Sequence, residues 1–147
     1  MSTTAEAQTT QVYELFIRAT PEQVWEGITN PAFVVRYFHG AHVELADGRR
    51  RVHGPDGALW GDEAIIESDP PRRLVHGWRS RYDPEMATER TSRVTWEITP
   101  GENGVSRLTL THDELGGAPK TAASVGGVGW MFVLSGLKTL LETGEPL

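Results

Sequence analysis

The sequence contains no cysteine, and this absence removes two classes of site at once. Neither a disulfide framework nor a thiolate metal centre can form without cysteine side chains. Cysteine-free chains suit the reducing cytoplasm, so we expect a cytoplasmic protein.

An excess of positive charge is also missing. The formal net charge is -6 at pH 7, and the isoelectric point is about 5.3. A nucleic-acid backbone is therefore not expected as a partner. No apolar run has the length of a membrane span, and no basic segment followed by an apolar one opens the chain, so membrane insertion is not expected either.

Glycine is abundant near the end of the chain, but the flanking residues that a phosphate-binding loop requires are absent. Gly126, Gly127 and Gly129 stand at the start of a predicted apolar helix in "GGVGWMFVLSGLKTLLETGEPL". A phosphate loop needs a strand directly before the glycines and Gly-Lys-Ser/Thr after them. Here a polar stretch of small residues, Asp113 to Val125, comes first. We interpret the glycines as a hinge or as a point of close packing, and the sequence leaves both open.

Metal-binding motifs are missing as well. His39-x-x-His42 spans the end of a predicted helix and the start of a strand, so the two imidazoles do not share one helical face. There is no HExxH motif, and Glu44 and Asp47 would have to complete the site by chance. We predict no metal ion and no cofactor.

The pattern of apolar residues predicts the elements of the first third. Alternation over Gln11 to Arg18 indicates a half-buried strand. In "TPEQVWEGITNP", Thr20 and Gln23 form a capping-box pattern, which predicts a helix from Pro21 to about Thr29. Asn30-Pro31 ends that helix and begins a second short one by the same logic.

From Ala41 the period changes to two, and about six strands follow. Asp47-Gly48 and Asp56-Gly57 are hairpin turns, and "PGENG" joins the last two strands. Strands without intervening helices predict an antiparallel sheet and the α+β class. We predict a disordered polar tail over residues 1–10 and a single domain over residues 11–147.

Strand parity divides the predicted sheet into a dry face and a wet face. The dry face carries Leu74, His76, Trp78, Val94, Trp96, Ile98, Leu108, Leu110 and His112. Arg79, Arg81 and Arg93 fall on the wet face, where we predict solvated side chains, and the adjacent acids Asp62-Glu63 are predicted to be solvated too. The last helix must cover the dry face, because its apolar residues repeat at intervals of three and four at Trp130, Val133, Leu134, Leu137, Leu140 and Leu141.

Several segments together resemble a known family. They are "FIRATPEQVWEGITNPAFVVRYF", "GDEAIIESDPPRRLVHGW", "SRVTWEITPGENGVSRLTLTH" and "GWMFVLSGLKTLLETGE". Over about Gln11 to Gly144 the chain resembles the activator of Hsp90 ATPase homologue 1-like (AHSA1-like) branch of the START-like, or SRPBCC, superfamily. The resemblance implies a helix-grip fold, in which a curved antiparallel sheet grips the C-terminal helix around a deep, mostly apolar cavity.

Members of that superfamily include lipid carriers, hormone receptors and polyketide cyclases, so the resemblance implies a hydrophobic small molecule, such as a lipid- or polyketide-like ligand. Tyr37 is a departure, since relatives often carry Trp before the Phe. The chain also lacks the additional N-terminal domain of the eukaryotic co-chaperone, so we do not expect contact with Hsp90. The oligomeric state stays open, a homodimer included.

His76 and His112 are the candidate polar residues of the dry face. Each is either a hydrogen-bonded core residue or a polar group that contacts a ligand in the cavity, and the second reading would also permit acid–base chemistry. No serine or cysteine nucleophile arrangement accompanies either histidine in a recognisable sequence context, so no catalytic residue is assigned.

Large rings complete the predicted site. We predict a mostly apolar pocket of roughly 300–1,000 Å³ between sheet and helix, with at least one of the two histidines exposed to it. The predicted ligand-binding residues are Phe38, Trp60, His76, Trp78, Trp96, His112, Trp130 and Leu134. Binding of a hydrophobic or aromatic ligand is the favoured function. A polyketide cyclase or aromatase-like enzyme that uses the same cavity, and a co-chaperone-like module that binds protein, are the alternatives.

Overall fold

Seven strands form one antiparallel sheet in the computed structural model, which describes residues 9–147. The tail predicted for residues 1–10 lies almost entirely outside the described residues. The strands are β1 Gln11–Ile17, β2 His42–Ala46, β3 Arg49–His53, β4 Leu59–Asp69, β5 Arg73–Trp78, β6 Ser92–Pro100 and β7 Ser106–Asp113. The α-helices are α1 Pro21–Thr29, α2 Pro31–Tyr37, α3 Pro119–Ser124 and α4 Trp130–Thr143.

The strands lie in the order β1-β7-β6-β5-β4-β3-β2, so α1 and α2 carry the chain from one edge of the sheet to the other. The pairing register shifts between Val52 and His53 and again between Ile65 and Glu67. Such irregularities bend a strand and increase its twist. The predicted α+β class, with an antiparallel sheet, two short helices after the first strand and a long last helix, is confirmed.

Local sequence explains the first two helices. The Thr20 hydroxyl accepts a hydrogen bond from the backbone N–H of Gln23 at 3.2 Å, and the Gln23 side chain accepts one from the backbone N–H of Thr20 at 2.8 Å. This is the predicted capping box. Asn30 ends α1 and caps α2 through its side chain, which accepts from the backbone N–H of Ala32 at 2.9 Å.

The prediction that glycines begin the last helix is wrong. Helical structure already starts at Pro119, and a π-helical segment, Val125–Gly129, joins α3 to α4. The carboxylate of Glu89 accepts hydrogen bonds from the backbone N–H groups of Lys120 at 2.8 Å and Thr121 at 3.0 Å, and so supplies the missing cap. Because that cap comes from a distant loop, the local sequence gives no sign of the earlier start.

Close packing accounts for two of the three glycines in the π-helical segment. A Cβ at Gly126 would lie 2.6 Å from the side-chain nitrogen of Gln11, and one at Gly129 would lie 3.0 Å from the backbone oxygen of Ser124. At Gly127 a Cβ would meet no atom within 4 Å. The close-packing interpretation therefore holds for Gly126 and Gly129.

The last helical stretch, Pro119–Thr143, is 25 residues long and is apolar enough to cross a membrane by length and composition alone. This corrects the expectation that no apolar run has that length. Its inward residues are almost fully buried within the domain, so it is a core helix. They are Trp130, Val133, Leu134, Leu137 and Leu140.

We expect Gly127→Ala to stabilise the protein by roughly 0.5–1 kcal/mol, because alanine is the better helix former and the site has room for a methyl group. Urea denaturation measures the change, and amide exchange over residues 126–129 should slow in the same variant. Gly136→Ala is the matched control in α4, since its Cβ would lie 3.1 Å from the Cβ of Tyr37. An equal gain from both substitutions would contradict the packing argument.

Candidate ligand cavity

A cavity of about 470 Å³ lies between the sheet and the beginning of α4. Strands β3, β4 and β5 supply one wall, the end of α2 supplies a second, and the π-helical segment with α4 supplies a third. The lining residues are Phe38, His39, Arg50, Val52, Trp60, Gly61, Asp62, Glu63, Gly77, Trp78, Arg79, Ser80, Tyr82, Ser124, Val125, Gly129, Trp130 and Val133.

Three aromatic rings in contact form the inner end of the cavity. The ring of Trp78 lies 5.2 Å from that of Trp130 and 6.3 Å from that of Phe38, measured between centroids. Phe38 and Trp130 meet edge to face at 6.3 Å. Nearer the surface, Trp60 packs against the exposed ring of Tyr82 at 5.6 Å. The wall is therefore aromatic at both ends, as is usual for a site that holds an apolar molecule.

His76 is a buried core residue with both ring nitrogens occupied. Its Nε2 accepts a hydrogen bond from the indole N–H of Trp96 at 3.0 Å, and its Nδ1 lies 2.8 Å from the backbone oxygen of Gly77. Since Gly77 offers only an acceptor there, these partners assign the proton to Nδ1.

His112 has the opposite arrangement. Its Nδ1 accepts from the indole N–H of Trp130 at 3.0 Å, which leaves Nε2–H to donate to the Ser92 hydroxyl at 2.8 Å. Ser92 then donates to the backbone oxygen of Trp78 at 3.1 Å. The chain of donors and acceptors is complete, and it contains no free proton acceptor.

Burial keeps both imidazoles neutral. Desolvation lowers the pKa of His112 to about 4 and lowers the pKa of His76 well below its ordinary value. Neither ring lines the cavity, so the prediction that at least one would reach it is wrong. Of the two readings, the structure supports the hydrogen-bonded core residue for both, and neither imidazole is placed for acid–base catalysis of a molecule in the cavity.

Arg50 is a lining residue that sequence reasoning missed. Only 7% of its surface is exposed, and its guanidinium carbon lies 5.4 Å from the Trp78 ring and 5.9 Å from the Phe38 ring. Burial lowers the pKa of Arg50 to about 10, so the group stays charged at neutral pH. The alternation of side chains along a strand could have found it, because Arg50 and Val52 are two residues apart in "RRRVH" and so point to the same face of the sheet.

Three further side chains differ from their predicted positions. Asp62, Glu63 and Arg79, expected to be solvated, all line the cavity. The Arg79 Nε and a Glu63 carboxylate oxygen lie 3.8 Å apart, and each atom is buried without a hydrogen-bond partner in residues 9–147. The indole N–H of Trp78 is the third such atom. All three atoms belong to residues that line the cavity, although the atoms themselves are buried.

The structure brings together half of the predicted ligand-binding residues. Phe38, Trp60, Trp78 and Trp130 line the cavity. The other four, His76, Trp96, His112 and Leu134, are buried in the core beside it. Ligand contact by the first four stays a prediction. His39 also lines the cavity, whereas His42 is exposed on β2, and no group of three or more metal-ligating side chains occurs among residues 9–147.

Comparison with protein families agrees with this architecture. The model of the family described as "Activator of Hsp90 ATPase homolog 1-like protein" matches residues 18–142. The chain belongs to that family. No curated protein matches the sequence.

Solved structures of similar fold include bacterial and eukaryotic proteins. CalU16 from Micromonospora echinospora is 24% identical with a TM-score of 0.69, over 94% of this chain and 76% of CalU16. DynU16, from the dynemicin biosynthetic locus, is 24% identical with a TM-score of 0.75, over 94% of this chain and 49% of DynU16. PFC0360w, an HSP90 activator from Plasmodium falciparum, is 18% identical with a TM-score of 0.67, over 90% of this chain and 96% of that chain. These similarities establish the helix-grip fold.

The neutral histidines predict how stability depends on pH. His112 binds its proton with a lower pKa in the folded than in the unfolded state, so its contribution to stability is present above about pH 6.5 and is lost as the pH falls towards 4. We expect that loss to be on the order of 3 kcal/mol from His112 alone. Urea denaturation at several pH values measures this loss as the difference between the wild type and His112→Asn. The two proteins share all other titrating groups, so the difference isolates the contribution of His112. If the free energy of unfolding fell equally with pH in both proteins between pH 6.5 and pH 4, the neutral state of His112 would be contradicted.

Proposed function

We propose that this protein binds a small molecule with an apolar or aromatic body in the cavity under its last helix. The observation that carries the proposal is the cavity of about 470 Å³ with the rings of Phe38, Trp78 and Trp130 at its inner end. That volume lies within the range of ordinary ligand pockets, roughly 300–1,000 Å³. An apolar molecule placed there would cover ring surface that otherwise contacts water or empty space.

The chemistry of the wall favours binding over catalysis. The two histidines are neutral, fully hydrogen-bonded and outside the lining. The acid Glu63 lies between two guanidinium groups, those of Arg79 and Arg81, each at 3.8 Å. Both guanidinium groups lie against the Glu63 carboxylate, so it is not free to act on a molecule in the cavity. A cyclase-like reaction would need a free acid or base, and neither the two buried histidines nor Glu63 supplies one, so we do not favour that alternative.

Binding can be tested with N-phenyl-1-naphthylamine, a neutral probe whose fluorescence rises in apolar surroundings. Gly61→Val should weaken probe binding by roughly tenfold or more. A Cβ at Gly61 would lie 3.8 Å from a methyl carbon of Val52, on the cavity wall, so the added methyl groups take up cavity volume. Fluorescence titration and quenching of tryptophan emission measure the effect.

Ala64→Val is the matched control. Ala64 lies on the same strand and is exposed, so the same side chain added there should leave probe binding unchanged. Melting curves of both variants establish that they are folded. Absence of probe binding to the wild type, or equal loss in the two variants, would contradict the proposal.

Recognition of a protein partner is the second candidate function, and one surface feature favours it. Val128, Met131 and Phe132 follow one another at helical spacing and are 74%, 53% and 47% exposed. Exposed apolar side chains in a cluster are typical of contact surfaces. Because PFC0360w is an HSP90 activator, the direct test is the ATPase rate of Hsp90 with and without this protein. Stimulation that Met131→Glu abolishes would make partner binding the leading function.

A further inference from the structure

The guanidinium of Arg50 is a buried positive charge without a counter-ion among residues 9–147. Charged side chains are almost never so fully buried unless they are paired, because removal from water is costly. Among residues 9–147 no carboxylate lies within ion-pair distance of Arg50, whereas its neighbours Arg49 and Arg51 both reach Asp62, at 2.6 and 3.7 Å. Arg50 is therefore the member of this basic run that faces the cavity unpaired.

The groups around Arg50 do not supply the missing negative charge. Glu63 stands opposite Arg50 in the β3–β4 register, but its carboxylate lies against Arg79 and Arg81. The hydroxyl of Tyr37 donates to the backbone oxygen of Gly27 at 2.8 Å, and burial raises the pKa of this phenol, so it is neutral. His76 is neutral as well.

The uncompensated charge of the cavity wall is therefore positive. Asp62 is paired with Arg49 and Arg51, and Glu63 is paired with Arg79 and Arg81. An oxyanion in the cavity would provide what Arg50 lacks, since a planar carboxylate can accept two hydrogen bonds from one guanidinium.

We propose that the ligand of this cavity carries a carboxylate, which accepts hydrogen bonds from Arg50 while its apolar body packs on Phe38, Trp130 and Val133. This inference rests on the proposed function and names the chemical class of its ligand. The unfavourable burial of Arg50 in the ligand-free protein is then explained, because it prepares the cavity to bind an anion.

Naphthalene-1-acetate and naphthalene-1-acetamide form a matched pair of probes, because they share one apolar body and differ in charge. Isothermal titration calorimetry should show the acetate bound more tightly than the amide by wild-type protein. In Arg50→Met the affinity for the acetate should fall by roughly 10- to 100-fold, whereas the affinity for the amide should stay the same or rise. Arg50→Lys, which keeps the charge but loses the planar fork, should give an intermediate loss.

Arg51→Met is the control, since it removes the next arginine of the same strand, whose side chain reaches Asp62. It should leave both affinities unchanged. The melting temperature of ligand-free Arg50→Met should equal or exceed that of the wild type, because the variant removes an unpaired buried charge. A purely structural role for Arg50 would lower it.

The outcomes separate this inference from the function on which it rests. Equal binding of acetate and amide by the wild type would overturn the carboxylate assignment and leave the apolar cavity standing. Equal losses for both probes in Arg50→Met, together with a lower melting temperature, would overturn it too. Failure of N-phenyl-1-naphthylamine and of both naphthalene probes to bind would instead overturn the proposed function.

Discussion

The hydrogen bond from Trp130 to His112 ties the last helix to the sheet, and much of the remaining structure depends on it. Trp130 is the first residue of α4 and is 2% exposed, and its indole N–H donates to His112 at 3.0 Å. The same ring contacts Trp78, Trp96 and the ring of Phe38. One side chain therefore joins three elements: the helix, the inner face of the sheet and the end of α2.

The inner side of the sheet has a packed part and an open part, and Trp130 takes part in both. In the packed part, Trp96 donates to the buried His76, and Leu134 belongs to the same hydrophobic core as Trp96. In the open part, residues of β3, β4 and the π-helical segment line the cavity.

Much of this could be predicted from the sequence, because the responsible signals are local. Period-two alternation placed His76, Trp78, Trp96 and His112 on the inner face, and the Thr20 capping box located α1. The earlier start of the last helix could not be predicted, since Glu89 provides its cap across 31 residues of sequence. Helix propensities describe each residue by itself and contain no information about such a distant partner.

The candidate site was harder to predict than the fold for a related reason. The alternation of residues along a strand tells which face of the sheet a side chain joins. It does not tell whether that part of the face is closely packed or lines a cavity. The register shifts at Val52/His53 and Ile65/Glu67 lie in the strands β3 and β4 that line the cavity, and the pattern of a single strand does not reveal them. Arg50 was missed because a run of three arginines suggests a solvated strand, although the phase of Val52 turns the middle one inward.

The polar groups of the interior fall into two sets, and the distinction bears on function. His76, His112 and Ser92 form hydrogen bonds only with other protein groups, so they stabilise the core and have no capacity left for a ligand. Arg50 lines the cavity and has no hydrogen-bond acceptor or counter-ion among residues 9–147. Its contacts with the Trp78 and Phe38 rings offset only part of the cost of burying the charge, whereas a binding site gains an acceptor-specific contact from it. Arg50, and not the histidines, is therefore where selectivity for a ligand would reside.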